Sequence, residues 1–189
     1  MRALGPGSVS SFLKIALDVV HVLLWFMLII LLLTLLGTLV AQPFLASQVT
    51  LDGDFTINGE QNPERIRELI RSPIIPGGIA AVSVYVAGLV FIVGRLRRVF
   101  VTLTRGDPFQ PLNVRRLRLI GFTLAGIELF SYAFRGVLGW WEHRAAVDWN
   151  VDIGQGFDLT VWFAVLVVFV LAEVFREGAR LRREAELTI

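Results

Sequence analysis

Four long apolar stretches dominate this chain and leave few folds open to it. Each is close to the roughly 17–25 residues that a helix needs to cross the hydrocarbon layer of a bilayer. Helix is also the only single-segment structure that satisfies its own backbone hydrogen bonds in lipid. The sequence therefore predicts an all-α membrane protein, with four transmembrane helices in one domain, 1–189. The predicted spans are residues 19–40, 78–94, 119–140 and 159–175.

The first apolar stretch is predicted to stay in the protein as a helix. A signal peptide has an apolar core of roughly 7–15 residues, and this stretch is far longer. The sequence Ala41-Gln42-Pro43 that follows it is also a poor cleavage site.

Basic residues are distributed unevenly between the two sides that four spans define. The segment 95–118 carries seven arginines and one acidic residue, and its side holds thirteen arginine or lysine residues against four on the other. Short loops rich in these residues stay in the cytoplasm. We therefore predict both termini, the loop 95–118 and the tail 176–189 in the cytoplasm of a bacterium, with the chain in its inner membrane. The external loops are then 41–77 and 141–158.

The first external loop is predicted to contain a small hairpin and a short helix. Apolar and polar residues alternate at 49–51 and 55–57, on either side of an Asp-Gly-Asp turn. Asn62 and Pro63 then have the residue types of a helix N-cap and first position. Two interpretations stay open: a lid that rests on the membrane, or an element that senses a ligand.

The third span carries the clearest polar set inside the membrane. Glu128 and Arg135 are seven residues apart and so lie on nearly the same helix face, with Ser131 and Tyr132 between them. Ionisable residues within spans are costly and usually face the bundle interior. They either hold neighbouring helices together or line a polar cavity for a ligand, ion or proton.

A second ionisable group is predicted near the cytoplasmic ends of the helices. Antiparallel threading places five residues at similar depth: Asp18, His21, Arg95, Arg118 and Glu173. Asp18 or Glu173 is then able to pair with Arg95 or Arg118. Such pairs anchor helix ends, and a histidine among them leaves pH sensing as an alternative, because histidine in general changes charge near neutral pH.

Two features predict how the cytoplasmic segments join the helices. Asn113 has the residue type of an N-cap and is expected to start the third helix in the cytoplasm. The tail is expected to continue the fourth helix, with Glu173–Arg176 and Arg180–Glu184 as pairs within it.

Motifs for catalysis and nucleotide binding are missing from the sequence. There is no HExxH, no GxSxG, no Walker loop and no glycine-rich dinucleotide turn. Cysteine is absent, which excludes disulfides and thiolate metal sites. The net charge of only +2 does not support nucleic-acid binding. We expect no enzymatic activity, no cofactor, no metal and no direct contact with nucleic acid, and the oligomeric state stays open, a homo-oligomer included.

The cytoplasmic segments resemble a known family. The motifs are the Gly-Asp-Pro-Phe turn at 106–109 with the Asn-x-x-Arg-Leu-Arg-x-Ile-Gly sequence at 113–121, and the tail sequences at 171–178 and 184–188. They resemble the bacterial four-span family called domain of unknown function 2975. Genes of that family often lie beside a gene for a very short helix-turn-helix regulator. The resemblance therefore implies a membrane partner of a DNA-binding protein.

Together these observations favour an integral membrane sensor or tether that binds and controls a small helix-turn-helix transcriptional regulator. Arginines at the membrane surface are also explained by membrane orientation and by anionic lipid. One alternative is a small transporter or channel subunit that uses Glu128 and Arg135, and another is a structural subunit of a membrane complex. The residues expected to contact the regulator are Asp107, Phe109, Arg115, Arg116, Arg180, Arg183 and Glu186.

Overall fold

A computed structural model of the protein describes residues 9–48, 70–104, 109–145 and 158–187, and these residues form four long helices with no strand among them. The helices are α1 (Val9–Gln48), α2 (Ile74–Thr104), α3 (Pro111–Ala145) and α4 (Leu159–Leu187). The predicted hairpin and the predicted cap at Asn62 and Pro63 lie outside the described residues.

Each of the four helices is long and apolar enough to cross a membrane. Only 6–28 % of the residues in their most apolar segments are buried inside the protein. Large apolar side chains such as Phe26, Val137 and Phe163 are at least 61 % exposed. Water would not tolerate so much contiguous apolar surface, but lipid matches it. This confirms the predicted all-helical membrane architecture with four spans.

The helices extend well beyond the apolar stretches. The 40 residues of α1 measure about 60 Å at 1.5 Å per residue, roughly twice the thickness of the hydrocarbon layer. α4 likewise runs on through a charged segment to Leu187. Pairs within the tail, Arg176 with Glu173 and Arg180 with Glu184, support that extension as predicted.

The described chain divides into two compact units, 1–26 with 85–189 and 27–84. In the first unit, α3 and α4 pack antiparallel. Phe122 meets Phe169 edge to face, with ring centroids 5.1 Å apart. Towards the other end of the same pair, the hydroxyl oxygen of Tyr132 accepts a hydrogen bond from the backbone N–H of Asp158 at 3.1 Å.

The core of the first unit is a small apolar cluster between three helices. Its buried members are Leu117, Ile120 and Ala172, and Leu96 of α2 and Phe175 of α4 pack against them. In lipid the hydrophobic effect does little to drive helices together, so their association depends more on close van der Waals packing.

Small residues provide that close packing at two crossings. A β-carbon at Gly88 of α2 would collide with the side chain of Ile127 of α3. A β-carbon at Gly121 of α3 would lie 3.0 Å from the ring of Phe169. Both glycines therefore let neighbouring helices approach closely.

The second unit holds residues 27–48 of α1 and 74–84 of α2. In this unit Gln42 Nε2 donates a hydrogen bond to the backbone oxygen of Ser72 at 3.2 Å, which joins two segments that are distant in the sequence. Thr34 and Ser83 satisfy their hydroxyls within their own helices, at the backbone oxygens of Ile30 and Ile79. Thr34 and Ser83 thus bond to nearby backbone, as an apolar environment favours, whereas the buried hydroxyl of Ser72 has no hydrogen-bond partner among the described residues.

Candidate functional site at the arginine-rich end

The start of α1, the end of α2, the start of α3 and the end of α4 meet in the first unit, and we call this region the arginine-rich end. Asp18 of α1 makes an ion pair with Arg97 of α2. The ring of His21 lies one turn further along α1, against Gly94, where a β-carbon would come within 3.2 Å of it. These contacts fix α1 against α2.

His21 has one satisfied ring nitrogen and one that is not. Trp25 Nε1–H donates to His21 Nε2 at 3.2 Å. His21 Nδ1 is buried and has no hydrogen-bond partner among the described residues. Because Nε2 accepts a hydrogen bond, the neutral ring carries its proton on Nδ1. The result is a donor with no acceptor.

A buried asparagine joins α2 to α3. Asn113 is completely buried, and its Nδ2 donates to Thr102 Oγ1 at 2.6 Å. Its Oδ1 accepts from Arg116 Nη1 at 2.9 Å. The same Nη1 also donates to the backbone oxygen of Arg98 at 3.1 Å. One side chain thus connects the two helices and holds the Arg116 guanidinium in place.

The prediction that Asn113 caps α3 is wrong. The helix begins two residues earlier, at Pro111, where a missing backbone N–H is harmless. Asn113 therefore falls inside the first turn, and the rotation of the helix turns its side chain towards α2.

This network borders a cleft of about 440 Å³ that we call the α2–α3 cleft. The polar side chains of its wall are His21, Arg97, Arg98, Thr102, Gln110 and Arg116. Three of the six are arginines, so the cleft is strongly basic.

The turn before α3 is fastened to the tail of α4 by an aromatic ring. Phe109 packs on Phe175 with centroids 5.6 Å apart. It also covers Gly178, at which a β-carbon would come within 2.5 Å of the ring. Phe109 thus serves as an anchor between two segments, although 37 % of it remains exposed.

A second basic cleft, the α3–α4 cleft, lies between the start of α3 and the tail of α4 and has a volume of about 370 Å³. Its acid is Glu177, which pairs with Arg180 at 2.9 Å. Arg118 lies 3.9 Å from Glu173. The charged residues of its wall are Arg118, Arg176, Glu177, Arg180 and Arg183.

The predicted ionisable cluster is divided in the structure. Asp18 and His21 lie near Arg97, whereas Arg118 lies near Glu173. Asp18 pairs with Arg97, not with Arg95 or Arg118. Arg95 and Arg97 point in nearly opposite directions around α2, so only one of them faces α1. Arg95 instead lies over the ring of Phe91, 4.5 Å from its centroid.

The described members of the predicted regulator-binding set line different clefts or none. Arg180 and Arg183 line the α3–α4 cleft, whereas Arg116 lines the α2–α3 cleft. Arg115 is exposed and lines neither of these two clefts. Asp107 and the side chain of Glu186 lie outside the described residues.

The polar stripe of α3 is real, but its members turn to different partners. Ser131 Oγ donates to the backbone oxygen of Ile127 at 3.0 Å. Arg135 lies over the Tyr132 ring at 5.3 Å. Glu128 is only 7 % exposed, and its Oε1 accepts no hydrogen bond within the described part of the chain.

Asp158 caps the start of α4. Its Oδ1 accepts the backbone N–H of Thr160 at 2.9 Å. Hydrogen bonds from Thr160 lower the pKa of the Asp158 carboxyl, and the positive charge of Arg135 lowers it further. Arg135 therefore acts on the carboxylate at the start of α4.

Sequence reasoning missed Asn113 as a helix connector, Gly94 as the seat of His21, Gly178 as the seat of Phe109, and the Asp158 cap. Only the cap has a local signal, an aspartate directly before an apolar run. Among the described residues, no group of three or more His, Asp or Glu side chains is placed to hold a metal ion.

The fold and this end of the molecule define a multi-pass helical membrane protein with two basic clefts. The family model described as "Protein of unknown function (DUF2975)" matches residues 59–189, and the chain belongs to that family. This confirms the resemblance that the motifs at 106–121 and 171–188 indicated. No curated protein and no solved structure matches the chain.

Proposed function

We propose that this protein is a membrane tether or sensor that holds a small helix-turn-helix regulator at the α3–α4 cleft and has no catalytic role. Both termini and the arginine-rich end lie in the cytoplasm in this proposal, and the chain resides in a bacterial inner membrane. The family resemblance supplies the kind of partner, because related genes lie beside genes for such regulators.

The charge of the α3–α4 cleft is the observation that carries the proposal. Four guanidinium groups (Arg118, Arg176, Arg180, Arg183) share its wall with one carboxylate, Glu177. Glutamates of α4 pair with the first three, and Arg183 makes no ion pair within the described part of the chain. Such a surface fits an acidic patch on a protein, and complementary charge contributes specificity and fast association. Guanidinium groups also match carboxylates through two parallel hydrogen bonds.

The Phe109 contact supports the same assignment. A ring fastened onto Phe175 and Gly178 keeps the tail of α4 close to the start of α3. The cleft is therefore preformed, which reduces the ordering cost when a partner binds.

The distribution of positive charge supports the orientation. Thirteen arginine or lysine residues lie on the side that includes this cleft, against four on the other side. The positive-inside rule places the richer side in the cytoplasm, where a DNA-binding protein is accessible.

Co-purification from native membranes tests this proposal. Arg183→Glu reverses a charge within the cleft, whereas Arg182→Glu makes the same change at the neighbouring position, which is not part of the cleft wall. We expect wild type and Arg182→Glu to retain a helix-turn-helix protein, identified by mass spectrometry, and Arg183→Glu to lose most of it. Equal retention by both variants, or no such protein with wild type, would contradict the proposal.

Glu128 supports a second candidate, a transporter or channel subunit. A carboxyl that is 7 % exposed, with an oxygen that accepts no hydrogen bond within the described part of the chain, is unusual inside a membrane helix. Ion or proton flux across proteoliposomes that disappears in Glu128→Gln would favour this candidate. Flux equal to that of empty vesicles would exclude it.

A further inference from the structure

The α2–α3 cleft is separate from the α3–α4 cleft, and the two share no wall residue. From its charge and its fixed donors we propose that the α2–α3 cleft is a binding site for a phosphoryl group, carried either by an anionic lipid headgroup or by a soluble phosphate compound. This site does not depend on the proposed regulator.

The charge balance of the cleft is the first argument. Of its three arginines, Arg97 is neutralised by Asp18. No carboxylate among the described residues lies within ion-pair distance of Arg98 or Arg116. Two positive charges therefore face the cleft without a counter-charge from the described chain. A phosphate monoester would balance both of them, and the phosphodiester of an anionic lipid would balance one.

The second argument is that Arg116 is held ready to bind. Its Nη1 donates its two N–H groups to Asn113 Oδ1 and to the backbone oxygen of Arg98. A guanidinium has five N–H groups, so three remain, on Nη2 and Nε. An arginine with a fixed plane and a free pair of donors is suited to two oxygens of one phosphate.

The third argument is the unmatched donor on His21. The ring lines the cleft, and its Nδ1 is buried without a partner among the described residues. The hydrogen bond from Trp25 at Nε2 requires the proton on Nδ1. A phosphate oxygen is an acceptor of the kind that this nitrogen lacks, and a small turn of the ring away from Gly94 would let the two meet.

Size and position agree with a phosphoryl-bearing ligand. The cleft, at about 440 Å³, is within the range of roughly 300–1,000 Å³ that small-molecule sites occupy. It also lies where α1 and α2 pass from apolar to charged sequence, which is the level of lipid headgroups.

The test compares Arg98→Gln with Arg115→Gln in the purified full-length protein. Only the backbone oxygen of Arg98 takes part in the Asn113 network, so Arg98→Gln removes a cleft charge and leaves that network intact. Arg115→Gln removes the same charge from an exposed position outside both clefts.

Two arms distinguish the sources of the phosphoryl group. In phosphatidylcholine nanodiscs, inorganic phosphate and glycerol phosphate are titrated, and binding is followed by thermal stability. In mixed micelles with phosphatidylglycerol, retained lipid is counted by native mass spectrometry. Saturable binding of phosphate or glycerol phosphate would identify a soluble phosphate compound as the ligand. Retention of phosphatidylglycerol in preference to phosphatidylcholine would identify the lipid headgroup as the ligand.

In whichever arm binding occurs, we expect Arg98→Gln to weaken it about tenfold or more, as loss of one charge-assisted contact does. Arg115→Gln should bind like wild type. Absence of binding in both arms, or equal weakening by the two variants, would overturn the proposal.

Discussion

The ring of Phe109 lies on Gly178, so closely that a β-carbon built on that glycine would come within 2.5 Å of ring atom Cδ1. This contact joins the turn after α2 to the tail of α4, two segments that are 69 positions apart in the sequence. It borders the α3–α4 cleft, because Ala179 and Arg180, the next two residues, form part of the cleft wall.

Gly178→Ala is expected to lower the free energy of unfolding by about 1–3 kcal/mol, because the added methyl group forces the Phe109 ring from its place. Gly126→Ala is the matched control. A β-carbon there meets no atom within 4 Å, so the helix gains up to about 1 kcal/mol from the better helix former. Unfolding in mixed micelles measures both. Equal effects of the two substitutions would show that the ring does not restrict Gly178.

The Asn113–Thr102 hydrogen bond is expected to couple α2 and α3 by about 0.5–1.5 kcal/mol. A double-mutant cycle with Asn113→Ala, Thr102→Val and the combined variant measures this coupling free energy. Asn113→Ala alone should cost more than the coupling, because Arg116 also loses an acceptor. Additive effects of the two substitutions would indicate that the bond contributes nothing to stability.

Glu128→Met and Tyr132→Phe should change stability in opposite directions. Removing a buried carboxyl whose Oε1 has no partner among the described residues should raise the free energy of unfolding by about 1–2 kcal/mol. Tyr132→Phe removes the acceptor of the Asp158 N–H and should lower it by about 1 kcal/mol. Destabilisation by Glu128→Met would mean that the carboxyl holds the helices together.

Asp158 should make part of the stability depend on pH. Because folding lowers the pKa of its carboxyl, its contribution is complete well above the ordinary value of 3.8 and is lost as the pH falls through the lower folded pKa. Asp158→Asn keeps a capping side chain but cannot ionise. The melting temperature of wild type should therefore exceed that of Asp158→Asn at pH 7, and the difference should shrink at pH 3. A constant difference would contradict the titration.

The membrane architecture was predictable because lipid allows so few solutions. Four apolar stretches of spanning length can only be helices, whatever their detailed residues. The helix ends were less predictable. Polar residues that precede the apolar stretch of α1, such as Lys14 and Asp18, belong to the same helix. A prediction based on apolar residues alone therefore places the start of this helix too late.

The arrangement of the arginine-rich end could not be predicted residue by residue. Similar depth for Asp18 and the arginines of α2 follows from antiparallel threading, but the choice of Arg97 over Arg95 depends on how α2 is rotated. The contact of Phe109 with Gly178 joins positions that are far apart in the sequence, and no local pattern specifies it. Asn113 shows the same limit, since its residue type suits a cap and its position serves a connection between helices.

Photo-crosslinking in living cells tests the central proposal most directly. A photoreactive residue at Ala179 lies in the wall of the α3–α4 cleft, whereas one at Leu181, on the same tail, is exposed and lies outside that wall. The proposal predicts that illumination joins position 179, and not position 181, to a small helix-turn-helix protein identified by mass spectrometry. Failure to capture such a protein at position 179, or equal capture at both positions, would contradict it.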